Sequence, residues 1–172
     1  GGTGTKQKIN KLHDREILST VHPTTVVWSI NHTDADVSFG DETHVLFGRG
    51  FIEECINGIM YRVSPNTFFQ TNSHAVSILL KTIEEFCGEL SNKTLLDLYC
   101  GTGFFSVALD LQPQKTIGVE LSADAINDAI INARINHINE DFIAAQTESY
   151  DWSEHNPDVV ILDPPRSGMH DK

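Results

Sequence analysis

Three acidic residues stand where a chain of alternating strands and helices would deliver them to one edge. Asp97 opens the bend Asp97-Leu98-Tyr99-Cys100-Gly101-Thr102-Gly103, Glu120 closes Gly118-Val119-Glu120, and Asp163 closes the apolar run that starts at Asp158. Glycines at 101 and 103 let backbone approach a ligand closely and leave helix N-terminal N–H groups free for a carboxylate or phosphate. An acid at the next strand tip, here Glu120, can accept both hydroxyls of a ribose. The chemistry these residues suit is the holding of a nucleoside.

Which nucleoside is left open by Gly-x-Gly alone, because nicotinamide dinucleotides and S-adenosylmethionine share the geometry. Asp97 separates them. A carboxylate beside the bend repels a pyrophosphate and favours the ammonium and sulfonium of the methyl donor. The spacing Asp-x-x-x-Gly-x-Gly also resembles that of class I methyltransferases. Asp163 is followed by Pro164-Pro165-Arg166-Ser167-Gly168, a rigid, partly dehydrated loop at the ligand-binding edge of such a sheet. An ordinary turn after a buried strand would explain the prolines but not the acid.

These residues need a scaffold, and the hydrophobic pattern supplies one. Strand-like runs cover Thr24–Ile30, Thr43–Phe47, Phe51–Ile56 and Ile59–Val63, the last two separated by Asn57-Gly58, the strongest short-range hairpin signal. From Asn72, apolar residues Ala75, Val76, Leu79, Leu80, Ile83, Phe86 and Cys87 step at three and four, predicting an amphipathic helix that ends near Gly88. Then come strand Thr94–Tyr99, helix Phe104–Leu109, strand Lys115–Glu120, helix Ser122–Asn136 with Ser122 as N-cap, and strands Asp141–Ala145 and Asp158–Leu162. Alternation of this kind predicts parallel strands with crossover helices. The expected fold is a class I methyltransferase Rossmann-like, doubly wound α/β sheet at 64–172, after a β-rich unit at 1–63.

Together with Phe68-Phe69-Gln70-Thr71-Asn72, these motifs resemble the RNA 5-methyluridine methyltransferases of ribosomal and transfer RNA over roughly residues 43–170. The resemblance implies that Gln70, Tyr99, Glu120 and Asp163 contact S-adenosylmethionine, with Gly101 and Gly103 beneath its methionine end. Gln146 falls near a further contact after the third strand. Phe104 is counted among the cofactor-binding positions as well, standing where many members carry asparagine. The family's chemistry adds a cysteine thiolate at uracil C6, since C5 is a poor nucleophile, and a base later removes the C5 proton. The resemblance implies that both lie beyond Lys172, so no catalytic residue is expected here and no methyl transfer by this chain alone.

Composition adds bounds. Net charge is −12, so RNA binding would need a local patch or other parts, and the same balance argues against a non-catalytic RNA-binding or assembly module on this fold. A nicotinamide oxidoreductase is the further alternative. The three cysteines, Cys55, Cys87 and Cys100, lack CxxC spacing, and the eight histidines are scattered, so no metal site is expected. The glycines of residues 1–4 follow no strand and precede no Gly-Lys-Ser/Thr, and so form no phosphate loop. No apolar run approaches the roughly 20 residues of a membrane span, and no signal peptide is read, which places the protein in the cytoplasm. The edge at Asp158–Leu162 is expected to promote self-association.

Overall fold

Asn57 and Gly58 both take positive φ, 51° and 86°, the combination a two-residue type I′ turn requires. They join β3 (Ile52–Ile56) to β4 (Ile59–Val63) as the sequence predicts. Ahead of this hairpin, β1 (Thr25–Ile30) and β2 (Glu42–Gly48) pair antiparallel with a bulge between Val26 and Val27. Trp28 lies opposite His44 and their rings stack at 5.2 Å. This computed structural model describes residues 20–32, 40, 42–70, 72–109, 113–165 and 168. Residues 1–4, Thr71, Arg166 and Ser167, singled out above, lie outside the described residues.

The chain divides into two compact units, Gly1–Ile52 and Glu53–Lys172. That boundary falls inside β3, whereas the strand pattern runs unbroken to Val63. Packing is the reason: Ile56, Tyr61 and Val63 are buried, and Ile56 and Tyr61 belong to the core of the α/β unit. The sequence pattern registers strand after strand and cannot register which core each one joins.

In the larger unit the elements alternate as expected: α1 (Ser73–Cys87), β5 (Thr94–Leu98), α2 (Phe104–Leu109), β6 (Lys115–Glu120), α3 (Ala123–Ile135), β7 (Asp141–Ala144) and β8 (Val159–Leu162). The four strands form one parallel sheet in the order β7-β6-β5-β8. One face of it packs Leu95 and Ile161 against α1, α2 and the hairpin; the other gathers Leu96, Leu98, Ile117 and Val119. Asn72 and Ser122 cap α1 and α3 by accepting the N–H groups of Ala75 and Ala125. The predicted stripe of α1 is only partly used. Val76 and Leu80 are buried, but Phe86 is 87% exposed, on the side of the last turn turned away from the core.

A polar ladder ties α3 to β4. Asn136 accepts the Met60 N–H at 3.0 Å and donates to the Met60 carbonyl at 2.7 Å. Asn132 does the same for Arg62, at 2.6 and 3.1 Å, and Asp128 accepts the Ser64 N–H at 2.8 Å. Four helical residues advance about 6 Å and two strand residues about 6.6 Å, so the three rungs stay matched.

Tyr61 closes this core. It is fully buried among the Phe69 and Phe104 rings, and its hydroxyl donates to the Phe104 carbonyl at 3.0 Å. Tyr61→Phe should lower stability by about 1 kcal/mol, since a buried hydrogen bond is lost. The check is a lower urea midpoint at unchanged slope.

Candidate functional site

Register gathers the strand tips. Leu98 of β5 lies opposite Val119 of β6 and Leu162 of β8, and Glu120 lies opposite Ala144 of β7. The chain therefore leaves all four strands along one edge, at Tyr99, Leu121, Ala145 and Asp163. Between β5 and α2 it turns through Tyr99, Gly101 and Gly103 at φ of 62°, 54° and 75°. The bend is tied down by Cys100 N–H to Val119 O and Gly103 N–H to Cys100 O, at 3.1 and 2.9 Å. It also lies very close to the sheet. A Cβ at Gly118 would sit 2.6 Å from Phe142 Cδ1 and 2.9 Å from Cys100 Sγ, so only glycine lets the loop pack there.

Glu120 stands at the bend. Its carboxylate accepts the Gly101 N–H at 3.3 Å and the Ser122 N–H at 2.8 Å, one on each oxygen, and it remains partly exposed. Asp163 is exposed at the tip of β8, so Glu120 and Asp163 flank the bend from the strands on either side of β5. Gln70 reaches Asp163 through a long contact, Nε2 to Oδ2 at 3.5 Å. Tyr99 donates its hydroxyl to Glu148 at 2.9 Å, which links the bend to the turn after β7. Burial and then the Glu148 hydrogen bond raise the Tyr99 phenol above its ordinary range. Gln146 is exposed and opens that same turn, Thr147–Ser149. Gln70, Tyr99, Gly101, Glu120, Gln146 and Asp163 thus share one edge of the sheet.

Two residues of the expected set lie deeper. Asp97 is fully buried, and its Oδ2 accepts both the N–H and the hydroxyl of Ser106, at 3.1 and 2.7 Å. It thereby faces the first turn of α2, where negative charge is favoured. Its Oδ1 has no hydrogen-bond donor among the described residues. Burial pushes its pKa up to about 7 against the lowering effect of Ser106, and the charges of Asp163 and Glu120 add to the rise. Phe104 is 5% exposed and locked among Tyr61, Phe69 and Phe105, so its ring serves the core. An asparagine there would place an amide in that apolar cluster.

Sequence reasoning missed Ser106, Glu148, Asp128 and Asn132. The last pair carried a signal, being polar residues spaced by four on a helix whose neighbours at 125, 126, 129 and 133 face the sheet. Their partners lie 30–70 residues away, as in Thr102 to Asn132 and Arg62 to Asn132, so pattern alone could not supply them.

Asp97 makes stability pH-dependent. Its folded pKa lies above the unfolded carboxylate value, so the folded state holds the extra proton and loses stability as pH rises from about 4 through 7. This loss should be on the order of 4 kcal/mol and absent from Asp97→Asn, as read by denaturant unfolding at a series of pH values.

Comparison with known proteins identifies the family and the fold. A family model described as tRNA (uracil-5-)-methyltransferase matches residues 36–172. The chain is 38% identical over 149 residues to an uncharacterized RNA methyltransferase of Clostridium tetani, covering 86% of this chain and 33% of that protein. It is 40% identical over 147 residues to the tRNA (uracil(54)-C(5))-methyltransferase of Pyrococcus furiosus, covering 86% and 34%. The chain thus spans about a third of the length of the curated relatives it matches. The crystal structure of Pyrococcus abyssi tRNA (uracil-54, C5)-methyltransferase in complex with S-adenosyl-L-homocysteine superposes with a TM-score of 0.70 at 33% identity, over 86% of this chain and 36% of that one. The α/β unit has the class I methyltransferase fold. In sequence and in fold alike, the chain belongs to the tRNA (uracil-5-)-methyltransferase family.

Proposed function

We propose that this chain holds S-adenosylmethionine at the carboxyl edge of its parallel sheet, as the cofactor-binding part of an enzyme that methylates C5 of uridine in RNA. The observation that carries the reading is the placement of Glu120 and Asp163 on either side of the glycine bend. Each Glu120 oxygen already accepts one backbone N–H. A carboxylate oxygen has a second acceptor position, so both remain able to take a ribose hydroxyl. The acidic surroundings, with the unmatched Asp97 Oδ1 beneath them, suit a cationic ligand and oppose a pyrophosphate. When bound, S-adenosylmethionine supplies an electrophilic methyl group carried on a sulfonium.

The target reading rests on likeness to enzymes named for uridine 54 of transfer RNA, which favours transfer RNA as the substrate class. Attack on uracil C6 needs a thiolate. Cys100 is buried, and burial followed by the charges of Asp97, Glu120 and Glu140 pushes its thiol well above the ordinary range. Burial likewise raises Cys87 on α1. Cys55 is exposed on the hairpin strand β3, outside the four-stranded sheet. The chain is therefore proposed to bind cofactor without turning it over.

Calorimetric titration with S-adenosylmethionine tests the reading: a folded chain that gives no heat sinks it. Glu120→Ala should weaken binding about tenfold or more. Affinity should fall as pH drops through about 7, because protonating Asp97 removes an attraction for the cation. S-adenosylhomocysteine, which lacks the sulfonium charge, should show a shallower fall.

The edge strand β8 carries a second expected outcome. Val160 and Leu162, in register with Leu96 and Leu98, are 47% and 48% exposed, and β8 ends the sheet among the described residues. Concentration-dependent dimers in sedimentation equilibrium are expected, reduced by Val160→Lys. A monomer at every concentration would remove self-association from the proposal.

A further inference from the structure

We infer that Asp128 and Asn132 of α3 are positioning residues for the cofactor site, acting through Gln70 and the glycine bend without touching the ligand; the inference rests on the cofactor reading above. Both side chains are fully buried. Asn132 donates to the Arg62 carbonyl and also to the Thr102 carbonyl at 3.0 Å, inside the glycine bend. Asp128 acts beyond the end of β4. It accepts the Ser64 N–H and hydroxyl, both at 2.8 Å, and the Thr67 hydroxyl at 3.2 Å, and its Oδ1 lies 3.4 Å from Arg62 Nε.

Ser64 to Gln70 contains no helix or strand, so its course depends on such anchors. The Thr67 hydroxyl shares its one proton between the Asp128 carboxylate and the Ser64 carbonyl, the latter at 2.8 Å, which folds the segment into a turn on Asp128. Phe69 then packs against Tyr61 and Phe104, and Gln70 emerges beside Asp163. One helix therefore fixes both the segment that presents Gln70 and the bend it must face. Asn136 serves as an internal contrast. It holds Met60, at the start of β4, and touches neither the bend nor the segment.

The test is S-adenosylhomocysteine affinity by calorimetry for Asp128→Asn, Thr67→Val, Asn136→Ala and Gln70→Ala, with thermal unfolding of each. Asp128→Asn should weaken binding about tenfold and Thr67→Val about threefold, whereas Asn136→Ala should lower the melting temperature and leave affinity within about twofold. Thr67→Val combined with Gln70→Ala should bind no more weakly than Gln70→Ala alone. If Asp128→Asn does not fold, Thr67→Val and its double variant give the answer alone. Additive effects, or equal loss of affinity in Asn136→Ala, overturn the inference. A wild-type chain that binds no S-adenosylhomocysteine overturns the cofactor reading and this inference together.

Discussion

Parallel pairing in register between β5 and both its neighbours ends Leu98, Val119 and Leu162 side by side, and the loops that follow must share the space beyond them. A bulky bend could not fit. The chain meets the constraint with Gly118, which lets Phe142 and Cys100 lie against the strand, and with a loop that takes positive φ at Tyr99, Gly101 and Gly103. Tyr99 is the residue of the three that resists this conformation, and its bond to Glu148 helps hold it there.

Collecting Asp97, Glu120 and Asp163 around one bend is unfavourable in itself, because like charges in a partly dry site raise one another's proton affinity. The fold offsets this unevenly. Glu120 is matched by two backbone N–H groups, Asp97 by Ser106 on one oxygen only, and the exposed Asp163 by the Gln70 amide at 3.5 Å. The incomplete compensation at Asp97 is the feature a cationic ligand would relieve, and it explains why a purely structural account of this carboxylate falls short.

Much of the scaffold was legible from local rules. Asn57-Gly58 dictated a hairpin, apolar runs dictated strands to within a residue or two, and acids at strand tips followed from parallel alternation. What was hidden depends on packing between distant segments. Asp97 reads as a ligand contact because it precedes a glycine bend, and only the arrival of α2 turns it inward to Ser106. Phe104 reads as a cofactor-binding position at a helix start until Tyr61 and Phe69 surround it. The last turn of α1 looks like core by period, yet Phe86 is exposed there.

The ladder from α3 also bears on what β4 can do to other chains. A strand's outer N–H and C=O groups ordinarily invite another strand, which then offers its own outer row in turn. Amide side chains occupy those groups at Met60 and Arg62. An asparagine imitates the pairing but has no far side to pass on, so growth of a cross-β stack is blocked along that margin of the hairpin.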